Sequence, residues 1–233
     1  MTNSTSLGAR RAFLAAAAAL ALVGCGNADP TGPLPSPAAT TARYRVTFDA
    51  TWSAATHPTD FPASAHFSGL IGGTHAAAAT FWTPGGTATD GIRVMAELGG
   101  KSPLDAEVQA AVAAGRADRV LSGGGIGRSP GSVSLEFEID AAFPLVTLVS
   151  MVAPSPDWFV GVSGLNLRPG GAWVDRITVD LHPYDAGTDG GITFQSADLT
   201  LVPRQPIARI LGFPFQAGGT VAPLGTFTFR RIS

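Results

Sequence analysis

Three aspartates sit where the chain is built to turn. Asp157 follows Pro154-Ser155-Pro156 and precedes Trp158, while Asp185 and Asp189 bracket Ala186-Gly187-Thr188. Gly187 lets that second loop curl until Asp185 and Asp189 face one point. Calcium is a hard cation that takes about six to eight oxygens, and three carboxylates with loop carbonyls supply that chemistry. Carboxylates gathered without a cation repel one another. The spacing is not that of an EF-hand loop. Asp-Gly turns are common, so the residues alone also fit an ordinary solvated turn.

A second constellation is imidazole-rich. His57, His66 and His75 fall within nineteen positions, with Glu97 downstream. Histidines plus a carboxylate suit a zinc-bound water, which makes a metal-dependent hydrolase the alternative reading. No His-Glu-x-x-His spacing supports it. His57 precedes Pro58 at a turn, and His66 and His75 flank Gly72-Gly73, where they could pair across a hairpin. Structural roles are the expectation for all three. Ser68 lacks a nucleophile-elbow context, so a serine hydrolase is weaker still. Four tryptophans could form a sugar-binding face, but Trp52 is in phase with a strand's apolar side. Core packing is expected for Trp52 and Trp158, and exposure for Trp82 before Thr83-Pro84-Gly85.

Cys25 is the sole cysteine, which excludes an intrachain disulfide and a cysteine-based zinc site. It follows Arg10-Arg11 and the apolar run Phe13–Val23. Eleven such residues make about 16 Å of helix, too short to cross a bilayer core of about 30 Å. A signal peptide over 1–24 is expected. Leu22-Val23-Gly24-Cys25 looks like a lipobox, so Cys25 is expected to be lipidated and to hold the exported protein to the envelope membrane, at the outer membrane or cell surface. Ala9-Arg10-Arg11-Ala12-Phe13-Leu14 also resembles a twin-arginine signal, leaving the export route open. Residues 25–42, rich in Pro, Gly, Ala and Thr, read as a flexible tether, and the folded domain as 43–233.

The elements that must position these residues are strands. Among 233 residues, 45% are apolar and 14% charged, and 29 glycines with 18 prolines disfavour a helical bundle. Net charge is −2, Lys101 is the one lysine and no basic run occurs, so a phosphate-neutralising surface for nucleic acid is not expected. Period-two alternation marks strands at 44–52, 133–140, 176–181 and 226–230. The apolar run 145–153 should be a central strand covered on both faces. Weaker strands are expected near 76–82, 92–97 and 158–162. Ser102-Pro103-Leu104-Asp105 reads as a helix start, with Leu104, Val108 and Val112 as its apolar stripe. About eight strands and one short helix make an all-β antiparallel sandwich.

Longer stretches carry a resemblance. Residues 150–162 (SMVAPSPDWFVGV) and 181–191 (LHPYDAGTDGG) are similar to the spondin domain found in F-spondin and in bacterial lipoproteins. His57–Pro62, Ile71–His75 and Ala88–Gly99 continue the match in order, so it runs from about residue 43 to 231. The resemblance implies a C2-like β-sandwich that binds calcium at one end through Asp157, Asp185 and Asp189. It also implies a non-enzymatic role in adhesion or envelope and matrix contact, with an extracellular protein, glycan or lipid headgroup as ligand. Animal members carry a close cysteine pair where this chain has Gly164–Gly171, so the sandwich must hold without it.

Overall fold

A computed structural model describes residues 40–233. The leader, the tether up to residue 39 and Cys25 lie outside the described residues. The strands are β1 (Thr41–Ala50), β2 (His66–Phe67), β3 (Ile71–His75), β4 (Ala117–Ser122), β5 (Gly131–Asp140), β6 (Leu145–Ala153), β7 (Trp158–Asn166), β8 (Arg176–Leu181), β9 (Tyr184–Asp185), β10 (Ala208–Arg209) and β11 (Gly225–Arg231). Helices α1 (Asp90–Leu98) and α2 (Leu104–Ala113) lie between β3 and β4. One sheet has the order β5-β1-β11-β8, and the other β10-β9-β7-β6-β3-β4, with β2 beside β6. Every pairing is antiparallel. The all-β antiparallel sandwich is therefore as expected.

Register follows the alternation. Along β1, Tyr44, Val46 and Phe48 are buried and Arg45 and Thr47 point outward. Their partners in β5 obey the same phase: Arg45 lies opposite Glu136 and their side chains bond at 2.9 Å. Strand β6 is buried along nearly its whole length. Val146, Leu148 and Val152 pack between the sheets, while Val149, Met151 and Ala153 pack against the helices. A strand covered on both faces has no need to alternate, which is why it reads as one apolar run.

The helices correct two expectations. Residues 92–97 form α1 rather than a strand, because Ile92, Met95 and Ala96 share one helical face and Thr89 caps the start, accepting from the Ile92 N–H at 3.2 Å. Residues 76–82 are turns, with Phe81 and Trp82 buried as single anchors. Trp82 is not exposed: it packs edge-on against Phe159 and Tyr184. In α2, Leu104 and Val108 of the expected stripe are buried and Val112 is partly buried, but no side chain caps the helix start. Among the described residues no helix is long and apolar enough to cross a membrane.

Candidate functional site

Asp157 ends the β6–β7 turn, and Asp185 ends β9. Antiparallel pairing sets Trp158 opposite Asp185, so the two carboxylates flank one strand junction. The Ala186 N–H donates to the Asp157 carbonyl at 3.1 Å, which ties the second loop to the first turn. Gly187, at φ 72°, then reverses the chain so tightly that a Cβ there would lie 2.1 Å from the Gln205 carbonyl oxygen. Only glycine fits that approach. The reversal returns Thr188 and Asp189 beneath Asp157.

Asp157 is fully buried. Its Oδ2 accepts from the Thr188 N–H at 2.7 Å, the Thr188 hydroxyl at 3.1 Å and the Asp189 N–H at 3.0 Å. Its Oδ1 is buried and has no partner. Burial, reinforced by the Asp185 charge, pushes its pKa up to about 6, against the pull of those donors. Asp185 is half-buried, and its Oδ1 accepts from the Gly187 N–H at 2.7 Å. Burial raises its pKa as well; the Gly187 N–H works the other way, and the Asp189 charge adds to the rise. Asp189 turns Oδ1 to the Gly191 N–H at 2.7 Å and Oδ2 to the Leu199 N–H at 2.8 Å.

The three expected aspartates are thus electrostatic neighbours at one end of the sandwich. They are not a finished cage: among the described residues no group of three or more histidine, cysteine or acidic side chains is gathered closely enough to hold a metal. The donor set nevertheless fits a hard cation. A buried carboxylate oxygen with no hydrogen bond calls for a partner such as an ion, and the cluster's own charges disfavour its ionised form. Asp157 would offer only Oδ1, since its Oδ2 already accepts three hydrogen bonds; Asp185 would add charge, and Asp189 could join through oxygens that each accept one bond. Thr188 escaped the sequence reading. Its position between glycine and aspartate in the loop was the only signal, and its two bonds to Asp157 needed the fold to appear.

The histidines do not converge. His66 pairs with Ala153 at one end of β6, and His75 with Leu145 at the other. Eight strand steps separate them by about 26 Å, so they cannot pair across a hairpin. The His66 Nδ1 donates to the Ser64 carbonyl at 2.7 Å. His75 is buried, donating from Nδ1 to the Ala76 carbonyl at 2.9 Å and accepting at Nε2 from the Thr147 hydroxyl at 2.8 Å. His57 is buried, with Nε2 bonded to the Ala222 carbonyl at 3.2 Å and Nδ1 2.9 Å from the Thr56 hydroxyl. Burial lowers the pKa of both His57 and His75. Glu97 binds Arg93 at 2.9 Å on α1. Dispersed and bonded in this way, His57, His66, His75 and Glu97 form no hydrolytic centre.

A family model described as Spondin_N matches residues 42–216. The chain is 34% identical to Spondin-1 of Homo sapiens over 211 residues, which covers 83% of this chain and 26% of that protein. It is 33% identical to Spondin-2 of Rattus norvegicus over 195 residues, covering 82% of this chain and 58% of that protein. With Spondin-2 of Homo sapiens the identity is 35% over 173 residues, covering 72% and 52%. The chain therefore spans about a quarter of Spondin-1 and just over half of Spondin-2.

Proposed function

The chain belongs to the Spondin_N family, and from that premise we propose that it is a calcium-binding, non-enzymatic adhesion module of the cell surface, held to the envelope by a lipid on Cys25. One observation carries the calcium reading: the unpartnered Oδ1 of fully buried Asp157, beside Asp185. A divalent cation there would relieve both the missing bond and the like-charge repulsion. The ion's chemistry would be structural: it would neutralise the loop and fix Asp157, Asp185 and Asp189 as one rigid end for a ligand to meet. The histidines, bonded to backbone carbonyls, support a binding module over a hydrolase.

Melting in calcium and in chelator tests the reading. An ion that binds only the folded form stabilises it by about 2.7 kcal/mol at a hundredfold excess over Kd, a rise of several degrees for a domain of this size. Asp185→Asn should shrink the rise, and Asp185→Asn with Asp189→Asn should remove it. Identical wild-type curves in calcium and chelator would overturn the assignment.

A further inference from the structure

Strand β8 ends its sheet, and its outer edge is open. Arg176, Thr178 and Asp180 are exposed. Ile177 and Val179 face the core but are only partly buried, whereas Phe227 and Phe229 on the neighbouring β11 are fully buried. The Arg231 N–H donates to the Asp175 carbonyl at 2.9 Å and the Leu224 N–H to the Leu181 carbonyl at 2.8 Å. Antiparallel bonds alternate, so Ile177 and Val179 also turn their backbone toward β11, while Arg176, Thr178 and Asp180 turn theirs outward. Among the described residues no backbone group bonds that outward row. The strand carries no proline, lysine or bulge to guard it. Val179 borders a cleft of about 300 Å³ shared with Trp82, Leu165 and His182, so the apolar layer beside the edge is not filled. The charges of the row lack partners too. Among the described residues neither Arg176 nor Asp180 belongs to an ion pair. Arg176 lies directly opposite Arg230, a like-charge pairing that costs stability.

We propose that two copies of this chain pair antiparallel along β8, with a two-fold axis at Thr178, so that their four-stranded sheets become one continuous sheet. The segment Arg176-Ile177-Thr178-Val179-Asp180 is self-complementary about its centre. An axis there sets Thr178 against the partner's Thr178, Ile177 against the partner's Val179, and Arg176 against the partner's Asp180. Every outward-turned N–H and carbonyl of the row then meets a counterpart. Each Arg176 gains a carboxylate on the side away from Arg230, and the partly exposed Ile177 and Val179 gain apolar neighbours. Charge fixes the register. A slip of two residues sets Thr178 against the partner's Arg176 or the partner's Asp180 and forms neither ion pair. The other free edge of this sheet, β5, has no such complement. Its outward row is Ser132, Ser134, Glu136, Glu138 and Asp140, with no basic residue to meet the acids of a second copy.

Analytical ultracentrifugation tests this on the full-length chain with Cys25→Ser, so that no lipid drives association. The parent should pass from monomer to dimer as its concentration rises. Arg176→Asp and Asp180→Arg should each weaken the dimer by roughly tenfold or more, since two attractive pairs become repulsive. The double swap, Arg176→Asp with Asp180→Arg, restores opposite charges at both contacts and should dimerise like the parent. Mixed in equal amounts, the two single variants should also associate like the parent, because one copy then offers two acids and the other two arginines. These two rescues show that the single variants are folded and that the loss lies in pairing. A parent that stays monomeric at every concentration overturns the inference. Single variants that dimerise like the parent place the contact elsewhere and overturn it as well. A parent dimer with no rescue in either the double swap or the mixture overturns the antiparallel register and the pairing with it.

Discussion

Asp157 is costly when the protein is metal-free, and the sign of that cost is testable. Its carboxyl has a folded pKa of about 6 against an ordinary 3.8, because burial and the Asp185 charge favour the protonated form. A raised carboxyl pKa gives stability that is fully present below the unfolded pKa and is lost as pH rises through the folded one. In chelator, Tm should therefore fall as pH is raised from about 4 through 6, with about 3 kcal/mol at stake from this group. Calcium should flatten or reverse that decline. Asp157→Asn, neutral throughout, should remove much of the decline in chelator, melt higher than wild type at pH 7, and lose the calcium response. Thermal melts across pH, with and without calcium, check all three outcomes. Gly187→Ala should act differently. Its Cβ meets the Gln205 carbonyl in a left-handed conformation, so it should destabilise by about 2 kcal/mol or more and also shrink the calcium-induced shift.

At the scale of elements, the two helices are locked together by one side chain. The Glu107 carboxylate on α2 accepts from the Gly91 N–H of α1 at 2.7 Å and from the Thr89 hydroxyl at 2.7 Å. Those are donors at the N-terminus of α1, where backbone N–H groups lack partners within the helix. Glu107→Ala should cost about 1–3 kcal/mol, because the Gly91 N–H is half sheltered and loses its partner. The calcium shift should survive, since the bonds that Glu107 makes go to Thr89 and Gly91 and to none of the three aspartates. Chemical denaturation with the calcium shift measured alongside separates the two effects.

Across the whole molecule, the acidic end and the start of the domain are at opposite poles. Strand β1 begins at Thr41, and its far end, Ala50, lies opposite Gly131 and Gly225, near Trp52. Trp52 shares Phe194 and Phe215 with Trp158, the neighbour of Asp157. Ten strand residues put roughly 30 Å between the entry of the chain and the acidic loops. The described chain therefore enters the sandwich at Thr41, at the pole remote from the acidic loops. Cys25→Ser should move the protein from the detergent phase to the aqueous phase on phase separation, leaving the calcium-induced Tm shift intact.

Much of this architecture is legible in the sequence because strands of a sandwich advertise their burial. Alternation in β1, β5, β8 and β11 marks which side faces the core, and the unbroken apolar run of β6 marks a strand covered twice. The segments around Asp157, Asp185 and Asp189 are long enough to point to the family and to nominate those carboxylates. What local pattern cannot carry is contact between distant segments. Helix α1 is short, so its period blurs with that of a strand until the cap at Thr89 and the brace from Glu107 decide it. Trp82 reads as a loop residue and becomes core because Phe159 and Tyr184 close over it. His66 and His75, nine residues apart in the chain, are carried to opposite ends of β6 because both segments pair with that one extended strand. The burial of Asp157, its empty Oδ1 and its grip on Thr188 exist only once β7 and β9 are paired, since each depends on a partner about thirty residues away.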